Sequence, residues 1–107
     1  MHTDGNIPAV PEKGFYYHYK HDPKGDLYNY IYEVVGVGRN TEEKTLTVLY
    51  RPLYESDWMR PVDYQSRPLP MFMENLMKDG VEVPRFTKIT DPELIKKLEI
   101  IRDEMYA

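Results

Sequence analysis

The run Gly14-Phe15-Tyr16-Tyr17-His18-Tyr19-Lys20 sets four aromatics, a histidine and a lysine within seven residues. Consecutive bulky rings suit a pleated strand, where alternate side chains leave opposite faces. Phe15, Tyr17 and Tyr19 then share one face, and Tyr16, His18 and Lys20 the other. One of these faces must be core. The turn-former cluster His21-Asp22-Pro23-Lys24-Gly25-Asp26 follows at once, so the strand ends near Lys20.

The rest of the chain repeats this grammar. Leu27 to Val37 reads as a long strand, with Tyr28, Tyr30, Tyr32 and Val34 on one face and Ile31, Val35 and Val37 on the other. Gly36 and Gly38 mark a bulge or a sharp bend near its end. Asn40-Thr41-Glu42-Glu43-Lys44 is a polar turn, Thr45 to Tyr50 a third strand, and Pro52 its stop. Trp58-Met59 gives a short strand, and Pro68, Pro70, Met71 and Phe72 a single helical turn. Lys78-Asp79-Gly80-Val81 carries the Asp-Gly signal of a tight hairpin, joining a strand near Asn75 to one through Phe86.

Helical spacing is confined to the C-terminus. Leu94, Leu98, Ile101 and Met105 recur on one face with Ile95 beside them. Thr90 with Glu93 has capping-box spacing, and Asp91-Pro92 offers an alternative start. So short a helix is marginal alone and must pack its stripe on the β domain or on a second copy of it. The expected organisation is a loose leader over 1–13, a small β domain over 14–89 and a helix over 90–107.

Composition excludes several functions. At 107 residues the chain is one domain, burying roughly two-thirds of the surface its unfolded form exposes. It has no cysteine, hence no disulfide framework and no thiolate nucleophile or ligand. A net charge of −4 argues against a nucleic-acid partner, which calls for a basic face. Nothing resembles a signal peptide or a membrane span, so a soluble cytoplasmic protein without membrane attachment is expected. Ten tyrosines against three phenylalanines supply rings that pack by one edge and hydrogen-bond by the other.

An ordered series of motifs resembles one family. Gly14-x-Tyr16-x-His18-Tyr19-Lys20 and Tyr32-x-Val34-x-Gly36-Val37 open it, followed by Thr41-Glu42 and Val48-x-Tyr50-Arg51-x-Leu53-Tyr54. Arg67-Pro68-Leu69-x-Met71-Phe72 and Val83-Pro84-Arg85-Phe86 complete it. Over about residues 14 to 88 the chain resembles the bacterial domain-of-unknown-function 1653 family. The resemblance implies a mainly β fold, a small SH3-type β-barrel or roll with one C-terminal helix, and no agreed activity or cofactor. The chain departs from that pattern at Asn40, where the family usually has histidine, which weakens a two-histidine site. Asp22 to Asn29 looks inserted, and an extra segment between Trp58 and Met71 leaves Arg60-Pro61 and Arg67-Pro68 competing for one family position.

His18 offers a general base that Glu33 or Glu42 could orient, against the plainer reading of a histidine hydrogen-bonded among tyrosines. His18 and His21 lie on opposite faces of a continuing strand, and only a turn at Lys20 would join them with Asp22 around a metal, so no metal site is expected. No nucleophile elbow, phosphate loop or zinc-protease motif occurs, and Ser56 and Ser66 read as turn residues. Tyr19, Tyr50, Tyr54 and Trp58 fall on or beside neighbouring strands and can line an aromatic groove. Lys20 and Arg67 would hold a carboxylate or phosphate there.

The favoured expectation is a non-catalytic binding module using Tyr16, His18, Tyr19, Lys20, Tyr54, Trp58 and Arg67, without a cofactor, for a peptide or small anionic ligand. Two alternatives stand beside it. One is a small enzyme built on His18 and Glu42; the other is a structural domain, monomer or weak homodimer, that self-associates through the helix stripe.

Overall fold

The computed structural model describes residues 9–25, 29–54 and 64–106. Expectations for Leu27, Tyr28, Ser56, the Trp58-Met59 strand and Arg60 lie outside these residues. The element order is β1 (Gly14–His18), β2 (Ile31–Asn40), β3 (Thr45–Pro52), β4 (Gln65–Pro68), α1 (Leu69–Phe72), β5 (Asn75–Lys78), β6 (Val81–Pro84), β7 (Phe86–Lys88) and α2 (Pro92–Met105). The protein is mainly β, with a small barrel-like sheet and one C-terminal helix.

Five strands form an antiparallel sheet in the order β4-β3-β2-β1-β7, while β5 and β6 pair as a separate hairpin. The large sheet curls far enough that Arg67 of its β4 edge sits over the ring of Phe86 on its β7 edge. It is a half-barrel, with an unpaired seam between those edges among the described residues.

Both faces of β1 are buried, where the sequence pattern demanded only one. Tyr16 joins Tyr32, Val34, Val48, Tyr50, Leu69, Phe72 and Phe86 in a cluster inside the curl. Phe15 joins Ile31, Leu53, Ile89 and Leu98 in a second cluster on the outer face. The cause is α2, which lies across the outside of the sheet and makes that face interior as well.

The expected bulge falls in β2. Its register with β3 runs from Tyr32↔Pro52 to Val34↔Tyr50 and resumes at Gly36↔Leu49, so Val35 is the extra residue. The extra residue reverses the alternation after it. Val37 therefore packs with Val34 inside the curl, a correction to the expectation that placed it on the Ile31 face.

Further corrections concern short elements. β4 was not anticipated, because its four residues carry no apolar alternation and end in Pro68. It survives as an edge strand, where a proline costs no ladder hydrogen bond. The strand expected to run through Phe86 breaks at Arg85, whose N–H turns to the Glu74 carbonyl while its own carbonyl accepts from Tyr19. The hairpin is as the sequence predicted: Asp79 and Gly80 both adopt positive φ, 52° and 80°, as a two-residue turn of this twist requires.

α2 begins at Asp91, whose carboxylate accepts from the Glu93 N–H at 3.1 Å; of the two possible caps the chain uses this one. Leu98 is fully buried, and Leu94, Ile95, Ile101 and Tyr106 pack around it on the chain's own sheet. A polar tie reinforces this seat. Glu33 of β2 accepts from Arg51 of β3 at 3.0 Å and from Arg102 of α2 at 2.8 Å, and Arg51 stacks 3.9 Å from the Tyr106 ring centroid. Among the described residues no helix is long and apolar enough to cross a membrane.

Candidate functional site

The seam between β4 and β7 opens into a pocket of about 370 Å³, lined by His18, Lys20, Tyr30, Tyr32, Tyr50, Tyr54, Gln65, Arg67 and Phe86. All five strands of the large sheet contribute. β1 delivers His18 and then ends in a turn, closed by the His21 N–H on the His18 carbonyl at 2.8 Å, which leaves Lys20 at the rim. β2 and β3 supply Tyr32 and Tyr50 on their inner faces, and the edge strands supply Gln65, Arg67 and Phe86.

The wall is a connected layer of rings. Tyr32 meets Tyr50, Tyr54 and Phe86 edge-on at 5.3, 5.6 and 5.8 Å between centroids. Below it, Phe72 of α1 stacks on Phe86 at 4.1 Å and fixes the floor. Such edge-to-face pairs stabilise beyond their buried area and hold the wall in shape. The Tyr32 and Tyr54 hydroxyls share a hydrogen bond of 2.5 Å. Burial raises both above the ordinary phenol value, so both remain protonated at neutral pH.

His18 sits among Tyr19, Tyr30, Tyr32 and Phe86, at ring distances of 4.7, 5.6, 6.2 and 5.1 Å. Its Nδ1 accepts the Lys20 N–H at 3.2 Å, which leaves the proton of the neutral ring on Nε2. Burial, then the positive charges of Arg67, Lys20, Arg85 and Lys78, pull its pKa down to about 4. At neutral pH it is therefore an uncharged hydrogen-bond donor with very little basicity.

The charge of the pocket differs from that of the protein. Lys20 and Arg67 line it, and no Asp or Glu is among its described lining residues. Arg51, Arg85, Lys88 and Arg102 each pair with a carboxylate. Arg67, though half-buried, has no such partner among the described residues; its Nε donates to the Tyr50 hydroxyl at 3.3 Å. That single bond leaves the outer edge of the guanidinium for an incoming acceptor.

Five of the residues expected at a site or its aromatic groove, His18, Lys20, Tyr50, Tyr54 and Arg67, converge here. Tyr19 lies behind His18 and beside Lys20, 5.9 Å from its ammonium. Tyr16 is buried deeper along the curl, with its hydroxyl donating to the Glu12 carbonyl at 2.8 Å and its pKa raised by that burial and by the Glu12 charge. Trp58 lies outside the described residues. Glu42 is placed elsewhere, in the exposed turn between β2 and β3, and its N–H is held by the Asn40 side chain. Glu33 is on the outer face, bound to two arginines, so neither carboxylate is in the lining around His18.

Tyr30, Tyr32, Gln65 and Phe86 were not singled out from sequence. The shared face of Tyr30 and Tyr32 was the available signal, since that face continues the one carrying His18 once β1 and β2 pair. Among the described residues, no group of three or more histidines and carboxylates converges to hold a metal. His21 itself hydrogen-bonds through Nδ1 to the Asn29 carbonyl at 2.6 Å.

A half-barrel with a cationic, tyrosine-walled pocket in its seam is the class of protein that this geometry defines. The family described as "Protein of unknown function (DUF1653)" matches residues 14–88, and the chain belongs to it. Its fold is similar to the crystal structure of a DUF1653 protein from Bordetella bronchiseptica, at 26% identity and a TM-score of 0.57, over 75% of this chain and 92% of that one. No curated protein matches the sequence at a significant level.

Proposed function

We propose that this domain is a non-catalytic binding module whose seam pocket takes a small anionic ligand. One observation carries the reading: the pocket holds Lys20 and Arg67 with no carboxylate in its described lining, inside a protein of net charge −4. A half-buried arginine with no carboxylate partner among the described residues is costly to keep, and an anion is its natural partner. The tyrosines alone would also suit a methylated ammonium held by ring faces, but two cations in the same lining repel such a guest.

The donor inventory agrees. Lys20, Arg67, the Nε2–H of His18, the Gln65 amide and the tyrosine hydroxyls offer far more donors than acceptors. Catalysis finds little support in the same residues. The described lining residues include no serine, threonine or carboxylate, and His18 gives up its proton too readily to act as a base near neutral pH.

Isothermal titration calorimetry with inorganic phosphate, sulfate, acetate and a short acidic peptide tests the reading, with Arg67→Gln as the companion variant. Binding that weakens at least about tenfold in the variant, the loss of a charge-assisted bond, is the expected result. Wild-type protein that binds none of these anions, or binds them as well after the substitution, would end the proposal.

A further inference from the structure

We propose that Tyr30 is a ring platform that makes the pocket select anions carrying a planar ring over bare anions. This rests on the anion-binding reading above and narrows its ligand class.

Tyr30 has φ of 53°, in the left-handed region that favours glycine and, less strongly, asparagine or aspartate. A bulky tyrosine there works against the backbone, so its presence calls for a reason in the side chain. The surrounding chain holds it firmly. The His18 N–H donates to the Tyr30 carbonyl at 2.9 Å. The preceding Asn29 is clasped twice, its Oδ1 accepting from the Asp22 N–H and its Nδ2 donating to the Asp22 carbonyl, both at 2.9 Å. His21 adds the bond to the Asn29 carbonyl at 2.6 Å. Three residues outside any strand are thus committed to fixing one tyrosine.

The ring is also the accessible one. Of the four tyrosines in the described lining, Tyr32 and Tyr50 are buried and Tyr54 is half-buried, whereas Tyr30 is 37% exposed. His18 backs it at 5.6 Å with 27° between planes, and Tyr54 flanks it at 5.6 Å. Those gaps are too narrow to admit a ring between them, which takes about 7 Å, twice the van der Waals separation. A ligand ring must lie on the open side of Tyr30, with its anionic group reaching Lys20 and Arg67 in the same pocket.

The test titrates four probes by calorimetry: adenosine 5′-monophosphate, adenosine, inorganic phosphate and benzoate. The wild type, Tyr30→Leu, Tyr30→Gly and Arg67→Gln proteins are compared. The nucleotide should bind roughly tenfold or more tighter than phosphate, the gain of one stacked ring. Tyr30→Leu and Tyr30→Gly should bring the nucleotide's affinity down to that of phosphate measured on the same variant, whereas Arg67→Gln should weaken both ligands and keep the nucleotide ahead. Tyr30→Gly suits the left-handed backbone, so its loss of the gain cannot be laid to misfolding. The nucleotide and benzoate arms separate a phosphate-bearing from a carboxylate-bearing ring. Phosphate and nucleotide binding equally, or an undiminished nucleotide gain in both Tyr30 variants, overturns the platform while leaving the anion site intact. If no anion binds, both readings fall.

Discussion

The guanidinium carbon of Arg67 on β4 lies 5.9 Å from the ring centroid of Phe86 on β7. These residues belong to the two edges of one curled sheet, and a cation over a ring spans the edges where, among the described residues, no strand pairing does. A closed small barrel fills its interior with side chains. Here the seam stays open above the Phe72–Phe86 stack, and the opening is the pocket.

The neutral state of His18 gives a pH signature. Its pKa falls from 6.5 to about 4 in the folded protein, so between those values the unfolded chain binds a proton that the folded one refuses. Its contribution to stability is complete above pH 6.5 and declines as pH falls toward 4. Thermal unfolding at pH 6.5 and pH 5 should show a larger drop in Tm for the wild type than for His18→Asn, whose side-chain oxygen can still take the Lys20 N–H. Equal drops would mean that His18 titrates normally. A bound anion should raise the His18 pKa, visible in the NMR shifts of its ring.

Glu33 is the hinge pin of the helix. It is nearly buried and answers two arginines from different elements, at 2.9 Å from Arg51 and 2.8 Å from Arg102. Glu33→Gln would take the shared carboxylate from both guanidiniums, leaving Arg102 its exposed partner Asp103, and we expect a loss of about 1–3 kcal/mol in urea unfolding, below the figure for fully buried pairs because both arginines keep some solvent. Arg102→Ala alone should cost less, about 1 kcal/mol, since Arg51 then retains the carboxylate. A Glu33→Gln protein as stable as the wild type would show that the tie contributes nothing.

Where the sequence spoke through short-range chemistry, it was legible. Asp79-Gly80 fixes its turn by backbone sterics, Gly36 announces the bulge at Val35, and the Leu94–Leu98–Ile101 stripe defines α2. What it could not reveal was consequence at a distance. The phase reversal after Val35 moves Val37 across the sheet, and α2 turns the Phe15 face into core; both depend on pairing rather than on local pattern. The pocket divides the same way. His18, Lys20, Tyr54 and Arg67 drew notice as polar or aromatic residues beside strands, while Phe86 and Gln65 enter only because the sheet curls and brings β7 to β4.

The hairpin offers a clean measurement of backbone strain. Gly80 has φ of 80°, yet a Cβ built there would meet nothing within 4 Å. Gly80→Ala should therefore destabilise through conformation alone, by about 1 kcal/mol, with no steric clash to confuse the reading. Chemical denaturation should report that change while the seam pocket keeps its anion affinity, since Gly80 is not among the lining residues. A cost above about 3 kcal/mol would point to contacts the turn does not show.

The outer core can be probed by two neighbours on one helix. Leu98 is completely buried against Phe15, Ile31, Leu53 and Ile89, whereas Ile100 is 60% exposed. Leu98→Ala removes a buried side chain and leaves a cavity between α2 and the sheet, an expected loss of about 2–4 kcal/mol. Ile100→Ala should change stability by no more than about 0.5 kcal/mol. Because the Leu98 stripe is covered by the chain's own sheet, truncation at Asp91 should expose that core and lower stability sharply, whatever the state of association. Light scattering alongside denaturation separates the two effects. A truncated protein that stays folded but loses a dimer would instead assign the stripe to a partner copy.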